Sequence, residues 1–295
     1  MDYDVIVIGG GAAGLSATLG LGRARRRVLV LDAGEPSNAP AHAIGGLLGQ
    51  RGTSPLELLE VGRAQLAELP TVEVRRGVTA RSARAHDDRV EVDGITAEVL
   101  LVATGAHYAR PELPGLEPLW GDTVFHCPFC HGWEVAGRPL AVMMEGPHAP
   151  VMGQLLKAWS DDVVLLTDPG ALDDAARGAL DAAGVAVDGR EVAELRARNG
   201  RLDAIVFADG STLPRAGLLI RAPLQARPAP LLDALGLERS EHGTLATQGW
   251  GRTNVPRVWA AGDVAEPGPA VAVAIAAGAR AAGGIMHDLM IRAAG

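Results

Sequence analysis

Cys127 and Cys130 are the only cysteines of the sequence and stand at C-x-x-C spacing within His126-Cys127-Pro128-Phe129-Cys130-His131-Gly132-Trp133-Glu134. Two thiols so placed can close into a disulfide in the first turn of a helix, where the helix N-terminus favours a thiolate. One sulfur can then exchange with an outside disulfide or thiol while its neighbour resolves the mixed intermediate. A zinc site is the rival chemistry, because two cysteines and two histidines amount to four ligands. Here His126 and His131 adjoin the cysteines directly, and such close neighbours rarely converge on one ion without a long loop between them. No metal is expected. His126 and His131 are candidate acid–base groups for the thiols, since an unperturbed imidazole titrates near neutrality.

Redox sulfur needs an electron carrier, and the first 14 residues are built to hold one. Tyr3 to Ile8 is an almost continuous apolar run of the kind found in a buried parallel strand. It leads into Gly9-Gly10-Gly11-Ala12-Ala13-Gly14, a G-x-G-x-x-G element. Gly9 permits the tight turn, Gly11 lets backbone approach a pyrophosphate, and Gly14 lets the next helix lie close to the sheet. That helix begins around Ala12 and Ala13, with its N-terminus toward the pyrophosphate. A second strand, Arg27 to Leu31, ends in Asp32, whose carboxylate can accept hydrogen bonds from an adenosine ribose. Strand, glycines, helix, strand and acid in this order make a dinucleotide site.

Three later segments return to the same cofactor. The strand Glu98 to Ala103 runs into Thr104-Gly105-Ala106, so that Ala103, Thr104 and Gly105 turn close to it. Val258 to Ala261 is a short strand followed by Gly262-Asp263, with Asp263 placed to bind ribityl hydroxyls. Pro269-Ala270-Val271 opens an alanine-rich helix to Ile291, whose first-turn N–H groups at Ala270 and Val271 can stabilise charge on a reduced flavin. The loop Gly34 to Thr53 can wrap the flavin ring, with His42 a further candidate at the flavin or substrate. Pro55 to Leu69 reads as a helix, and Val72 to Val74, Val78 to Ala85 and Arg89 to Val92 as strands of a subsidiary sheet.

A second βαβ unit follows the cysteines. Leu140 to Met144 and Val163 to Thr167 are buried-type strands flanking a helix that reaches Trp159, and Ala171 to Ala183 is a further helix. Its glycine pattern is damaged. Met144 stands where the first glycine belongs, Gly146 remains, and Ala149 replaces the third. The methionine side chain is expected near the phosphate path, with Glu145 adding negative charge beside it. Asp168 after the second strand would repel a 2′-phosphate, and no arginine pair is present to receive one. Leu202 to Ala208 and Leu218 to Ile220 have a structural character, and Arg221 to Pro230 reads as irregular loop.

Together these elements predict an α/β protein of two Rossmann-like three-layer domains. The FAD domain is discontinuous, occupying residues 1–113 and 244–295, and the inserted second nucleotide-fold domain, residues 114–243, carries the cysteines. At 295 residues, 48% hydrophobic and 21% charged, the chain is long enough for both. A formal charge of −8 with scattered arginines argues against nucleic acid. No apolar run approaches the roughly 20 residues of a membrane span. With a strand starting almost at Met1 there is no room for a signal peptide, which implies a cytoplasmic location and a reactive rather than structural cysteine pair.

The sequence resembles the low-molecular-weight thioredoxin reductase family over nearly its full length. The resemblance rests on Gly9-Gly10-Gly11-Ala12-Ala13-Gly14, Ala103-Thr104-Gly105-Ala106, Cys127-Pro128-Phe129-Cys130 and Ala260-Ala261-Gly262-Asp263-Val264. It implies bound FAD, a homodimer, Cys130 facing flavin C4a and Cys127 attacking the substrate. Two departures matter. The family usually has Asp after the second cysteine, where this chain has His131, and its intact NADPH glycines and arginine phosphate site are missing around Met144 and Asp168. Cys-x-x-Cys-His-Gly-Trp-Glu is closer to the branch of dithiol oxidases resembling the enzymes that close the gliotoxin and holomycin disulfides. The expected partner is therefore a small-molecule dithiol, or else a small redox protein. The alternatives are an NAD(P)H-dependent thioredoxin reductase-like enzyme, a reductase fed by a donor such as ferredoxin, and a flavin-bound scaffold without turnover.

Overall fold

The computed structural model describes residues 1–227 and 230–294. Contacts divide the chain into two compact units. One comprises Met1–Ala39, Thr53–Tyr108 and Leu224–Gly295, and the other Pro40–Gly52 and Ala109–Pro223. The chain thus passes between units at 108/109 and 223/224, where the sequence placed the boundaries at 113/114 and 243/244. Residues 40–52, anticipated at the flavin, group with the unit that carries the cysteines.

The first unit opens with β1 (Tyr3–Ile8), α1 (Ala12–Arg23), β2 (Val28–Asp32), α2 (Pro55–Ala67), β3 (Val72–Arg76), β4 (Ala83–Ala85), β5 (Val90–Val92), β6 (Ile95–Val102) and β7 (Ala106–Tyr108). β3, β4 and β5 do not form a subsidiary sheet. With β1, β2, β6 and one strand from late in the chain that pairs with β6, they make a seven-stranded sheet whose main path runs β3-β2-β1-β6-β5-β4. β1 pairs in parallel with both β2 and β6, while β5 runs antiparallel to β6 and β4 to β5. Strands buried on both faces need no polar alternation, which is why β1 and β2 read as apolar runs. α2 has a capping box: Ser54 Oγ accepts from Glu57 N–H while Glu57 reaches back to Ser54 N–H.

The second unit contains β8 (Val124–Phe125), the single turn α3 (Pro128–His131), β9 (Leu140–Met143), α4 (Ala149–Leu156), β10 (Val163–Leu166), α5 (Asp174–Ala183), β11 (Val185–Asp188), β12 (Val192–Arg198), β13 (Arg201–Phe207), β14 (Thr212–Pro214) and β15 (Gly217–Ile220). A five-stranded sheet of order β11-β10-β9-β15-β8 is parallel throughout, and β12-β13-β14 form a small antiparallel sheet. Phe125, Val142, Leu156, Leu165 and Leu219 are among the residues of its core.

The chain returns to the first unit through β16 (Leu224–Ala226), α6 (Pro230–Ala234), β17 (Val258–Ala260) and α7 (Val271–Ala294). The segment expected as irregular loop from Arg221 to Pro230 instead holds β16, paired antiparallel with β7, and Pro230 opens α6. Pro228 and Ala229 lie outside the described residues. β17 adds to β6 in parallel. α1 and α7 pack on the sheet face formed by Val5, Val7, Val30, Val99, Leu101 and Trp259, while Leu231, Leu232 and Val90 belong to the cluster on the other face. No helix among the described residues is long and apolar enough to cross a membrane.

Replacing Ser54 by Ala removes the acceptor for Glu57 N–H and is expected to lower stability by about 1 kcal/mol. Urea unfolding followed by far-UV circular dichroism measures it as a lower midpoint at unchanged slope.

Candidate functional site

The cofactor cradle of the first unit is shaped by two backbone contacts. Gly9 has φ +111°, and a Cβ there would lie 2.1 Å from the Ala103 carbonyl oxygen. A Cβ on Gly14 would lie 1.9 Å from the Gly9 carbonyl oxygen. Neither position can carry a side chain, so β1 turns within one residue and α1 starts directly against it. At Gly11, by contrast, a Cβ would meet nothing within 4 Å, so the backbone there borders open space. Leu15 N–H donates to Gly11 C=O at 2.9 Å, closing the first helical turn. The N–H groups of Ala12, Ala13 and Gly14 are then the helix's orphan donors, a fit for a pyrophosphate.

Asp32 ends β2, 5% exposed. Its Oδ1 accepts from Gly10 N–H at 3.3 Å and Gly34 N–H at 3.0 Å. Thr104, between Ala103 and Gly105, has a buried Oγ1 without a hydrogen-bond partner, a polar atom that a bound cofactor would satisfy. Gly262 has φ +78° and brings Asp263 after β17. Burial pushes the Asp263 carboxyl up to about 6, its own backbone hydrogen bond pulls the other way, and Glu266 raises it slightly. Tyr108 is also raised, mainly by burial and then by Asp263. Ala270 C=O accepts from Ala274 N–H at 2.9 Å, so α7 starts where the sequence placed it, with Val271 in its first turn. These residues suit a flavin dinucleotide in an unpaired hydroxyl, open helix donors and a desolvated carboxylate.

In the second unit Cys127 caps α3 and is disulfide-bonded to Cys130, with Cα atoms 5.4 Å apart. Cys130 N–H and His131 N–H both donate to Cys127 C=O, at 3.2 and 3.3 Å. The loop 40–52 lies against this turn: a Cβ on Gly45 would come 2.4 Å from the Cys130 carbonyl oxygen. That loop's His42 is exposed. Phe129, between the cysteines, and Trp133, three residues after Cys130, are 72% and 82% exposed.

Neither histidine has its ordinary titration. Burial lowers His126 to about 4, with His131 adding to the effect. His126 stacks on Trp120, ring centroids 5.6 Å apart, and the Arg110 guanidinium lies 5.3 Å from the centroid of the same Trp120 ring. His131, stacked on Phe125 at 5.8 Å, is also lowered, mainly by burial. Glu134 and the carbonyls of Cys127 and Gly121 oppose that shift, but neither buried ring nitrogen makes a well-formed hydrogen bond. The expectation of a histidine titrating near neutrality is corrected: desolvation favours the neutral imidazole, a proton acceptor rather than a standing cation. Among the described residues no group of three or more His, Cys, Asp or Glu is arranged for a metal ion.

The second nucleotide fold closes on itself. Ile8 pairs with Leu31 in the first unit and Met143 with Leu166 in the second, so Thr167, not Asp168, takes the place of Asp32. Asp168 instead accepts from Gly170 N–H at 2.8 Å. Glu145, in the place of Gly10, accepts from Thr167 Oγ1 at 2.9 Å and Asp168 N–H at 3.2 Å. Met144 is partly buried and packs on the core, a correction to its expected place in the phosphate path. The donors fail as well. Ala149 N–H is spent on Gly146 C=O at 3.1 Å, and Pro150 has no N–H. Of the three helix-start donors present in α1, α4 keeps that of Val151. Sequence inspection noted the glycines but missed Pro150 as a deleted donor, although the residue is visible there.

A family model described as pyridine nucleotide-disulphide oxidoreductase matches residues 3–279. The crystal structure of HlmI superposes with a TM-score of 0.90 at 39% identity, covering 98% of this chain and 92% of that one. The oxidoreductase from Agrobacterium tumefaciens superposes with a TM-score of 0.90 at 34% identity, covering 99% of each. Thioredoxin reductase tcpT of Claviceps purpurea (strain 20.1) is 30% identical over 279 residues, 88% of this chain and 86% of that protein.

Asp263 has a testable cost. Burial pushes its carboxyl up to about 6, above the ordinary aspartate value of about 4 in the unfolded chain, so its burial destabilises the cofactor-free protein increasingly as pH rises from about 4 through 6. Asp263→Asn is expected to stabilise that form at pH 7 by on the order of 2–3 kcal/mol, with the difference vanishing near pH 4. Melting temperatures across that range measure it.

Proposed function

The chain belongs to the pyridine nucleotide-disulphide oxidoreductase family, in its low-molecular-weight thioredoxin-reductase-like group, and from that premise we propose that it oxidises a small-molecule dithiol to a disulfide, with oxygen as the terminal electron acceptor. Membership makes it an FAD-dependent thiol–disulfide oxidoreductase with Cys127–Cys130 as the redox-active pair. The direction is supported by one observation above all: α4 has lost two of its three phosphate donors, and Glu145 bridges the place where a nicotinamide dinucleotide would have to enter. An enzyme that does not use a nicotinamide donor can take its electrons from the thiol substrate itself.

In this mechanism a substrate thiolate attacks Cys127 Sγ, the Cys127–Cys130 bond breaks, and Cys130 leaves as thiolate. The second substrate thiol then attacks the substrate sulfur of the mixed disulfide, forming the product disulfide and releasing Cys127. Two electrons and two protons have passed from substrate to protein. His131, held neutral by burial beside the disulfide, accepts the proton of an attacking thiol, and His126 is the alternative base. Phe129 and Trp133 offer exposed apolar surface to the carbon skeleton of a small substrate. Bound FAD supplies the two-electron acceptor that regenerates the disulfide. Gly9, Gly11, Ala12, Ala13 and Gly14 would hold its pyrophosphate, Asp32 the adenosine ribose, and Ala103, Thr104, Gly105, Gly262, Asp263, Ala270 and Val271 the flavin half. The homodimer of related enzymes is the expected assembly.

The related sequence named thioredoxin reductase favours a second reading, reduction of a protein disulfide with NAD(P)H. Anaerobic absorbance titration of the flavoprotein separates the two. A small dithiol should bleach the flavin, with recovery on admitting air, while NADPH and NADH at low micromolar concentration should not. Rapid bleaching by either nicotinamide sinks the oxidase. Cys127→Ser and Cys130→Ser should each lower dithiol turnover by about 1,000-fold or more. Because burial lowers His131, the acid limb of the rate profile should lie below the ordinary histidine range, and His131→Asn should abolish that limb if His131 is the base.

A further inference from the structure

The acid of the first dinucleotide motif does not stand alone. Arg63, on α2, donates from Nη2 to Asp32 Oδ2 at 2.9 Å, with side chains only 13% and 7% exposed. Its Nη1 holds Glu60 Oε1 at 2.9 Å, and the same oxygen is held by Arg76 Nη2 at 2.7 Å. Arg76 ends β3 directly opposite Asp32 in the sheet register. Two acids and two arginines therefore form a charge-balanced chain from the end of β2 to the surface.

A carboxylate oxygen offers about two lone-pair sites. Oδ1 of Asp32 spends both on Gly10 and Gly34 N–H, whereas Oδ2 spends one on Arg63 and keeps one. We propose that the adenosine ribose of FAD is received at Asp32 Oδ2, the oxygen Arg63 grips, and that Arg63 is the positioning residue which aims it. A lone acid at the end of β2 could rotate or be solvated. Held on three sides it presents one lone pair in one direction. The proposal rests on FAD as the cofactor and adds a residue to the usual glycines and acid.

The test is the FAD dissociation constant of the full-length protein, read by flavin fluorescence for native, Arg63→Met, Asp32→Asn and the double variant, with the melting temperature of each cofactor-free protein alongside. Arg63→Met should weaken FAD by about 10- to 100-fold, the range for a hydrogen bond to a charged group. The double variant should be little weaker than Asp32→Asn, because Arg63 acts through Asp32. Arg63→Lys, which keeps the charge and loses the fork, should recover part of the loss and serves in place of Arg63→Met if that variant fails to fold. Native-like FAD affinity in Arg63→Met, or losses that multiply in the double variant, would overturn the proposal. Failure of the native protein itself to bind FAD would instead sink the cofactor assignment beneath it.

Discussion

A helix can offer its unpaired N–H groups to an anion only if the strand before it turns away at once and nothing else takes those donors. In this protein the first condition is set by backbone contact, with Gly9 lying against Ala103 and Gly14 against Gly9. Both contacts are closer than any Cβ tolerates. They fix where α1 begins relative to β1 and β6, and hence where the cradle lies between the ends of β1, β2, β6 and β17. The apolar packing of both sheet faces holds those strand ends in place, but it is the two glycines that leave room for a ligand.

The second unit repeats the strand–helix–strand plan without meeting the second condition. Its helix gives one donor to Gly146 and lacks another at Pro150, and a carboxylate has moved from the strand end to the loop. In the first unit Asp32 reaches from strand to loop, and in the second Glu145 reaches from loop to strand. The same two elements are tied together in both, so the fold survives with fewer N–H groups open at the helix start. What the unit retains is a frame for the single turn that carries the cysteines, with two desolvated imidazoles beside it.

Much of this was legible in the chain itself. Glycine spacing, the apolar runs of β1, β2, β9 and β10 and the cysteine pair all have local causes, and each lies where its pattern implied. Less legible were features made by distant residues. Nothing near Asp32 announces Arg63, 31 positions on. The capping box at Ser54 has a recognisable spacing that the proline beside it overshadowed. The lowered histidines follow from burial, which no spacing reveals, and the placement of Thr167 rather than Asp168 at the strand end follows from a one-residue register. Short strands such as β7, β8 and β16 carry too few residues to show a period.

The segment 40–52 has a consequence for how such proteins diversify. By sequence it lies deep in the first unit, yet it packs with the second, its Gly45 against the Cys130 carbonyl and Pro40 and Ala41 against Gly121. The redox unit is therefore not a cassette bounded by a single pair of joints. Moving residues 109–223 alone into another chain would carry the cysteines and leave behind the strip fitted to them, so an exchange that keeps these contacts has to take residues 40–52 as well.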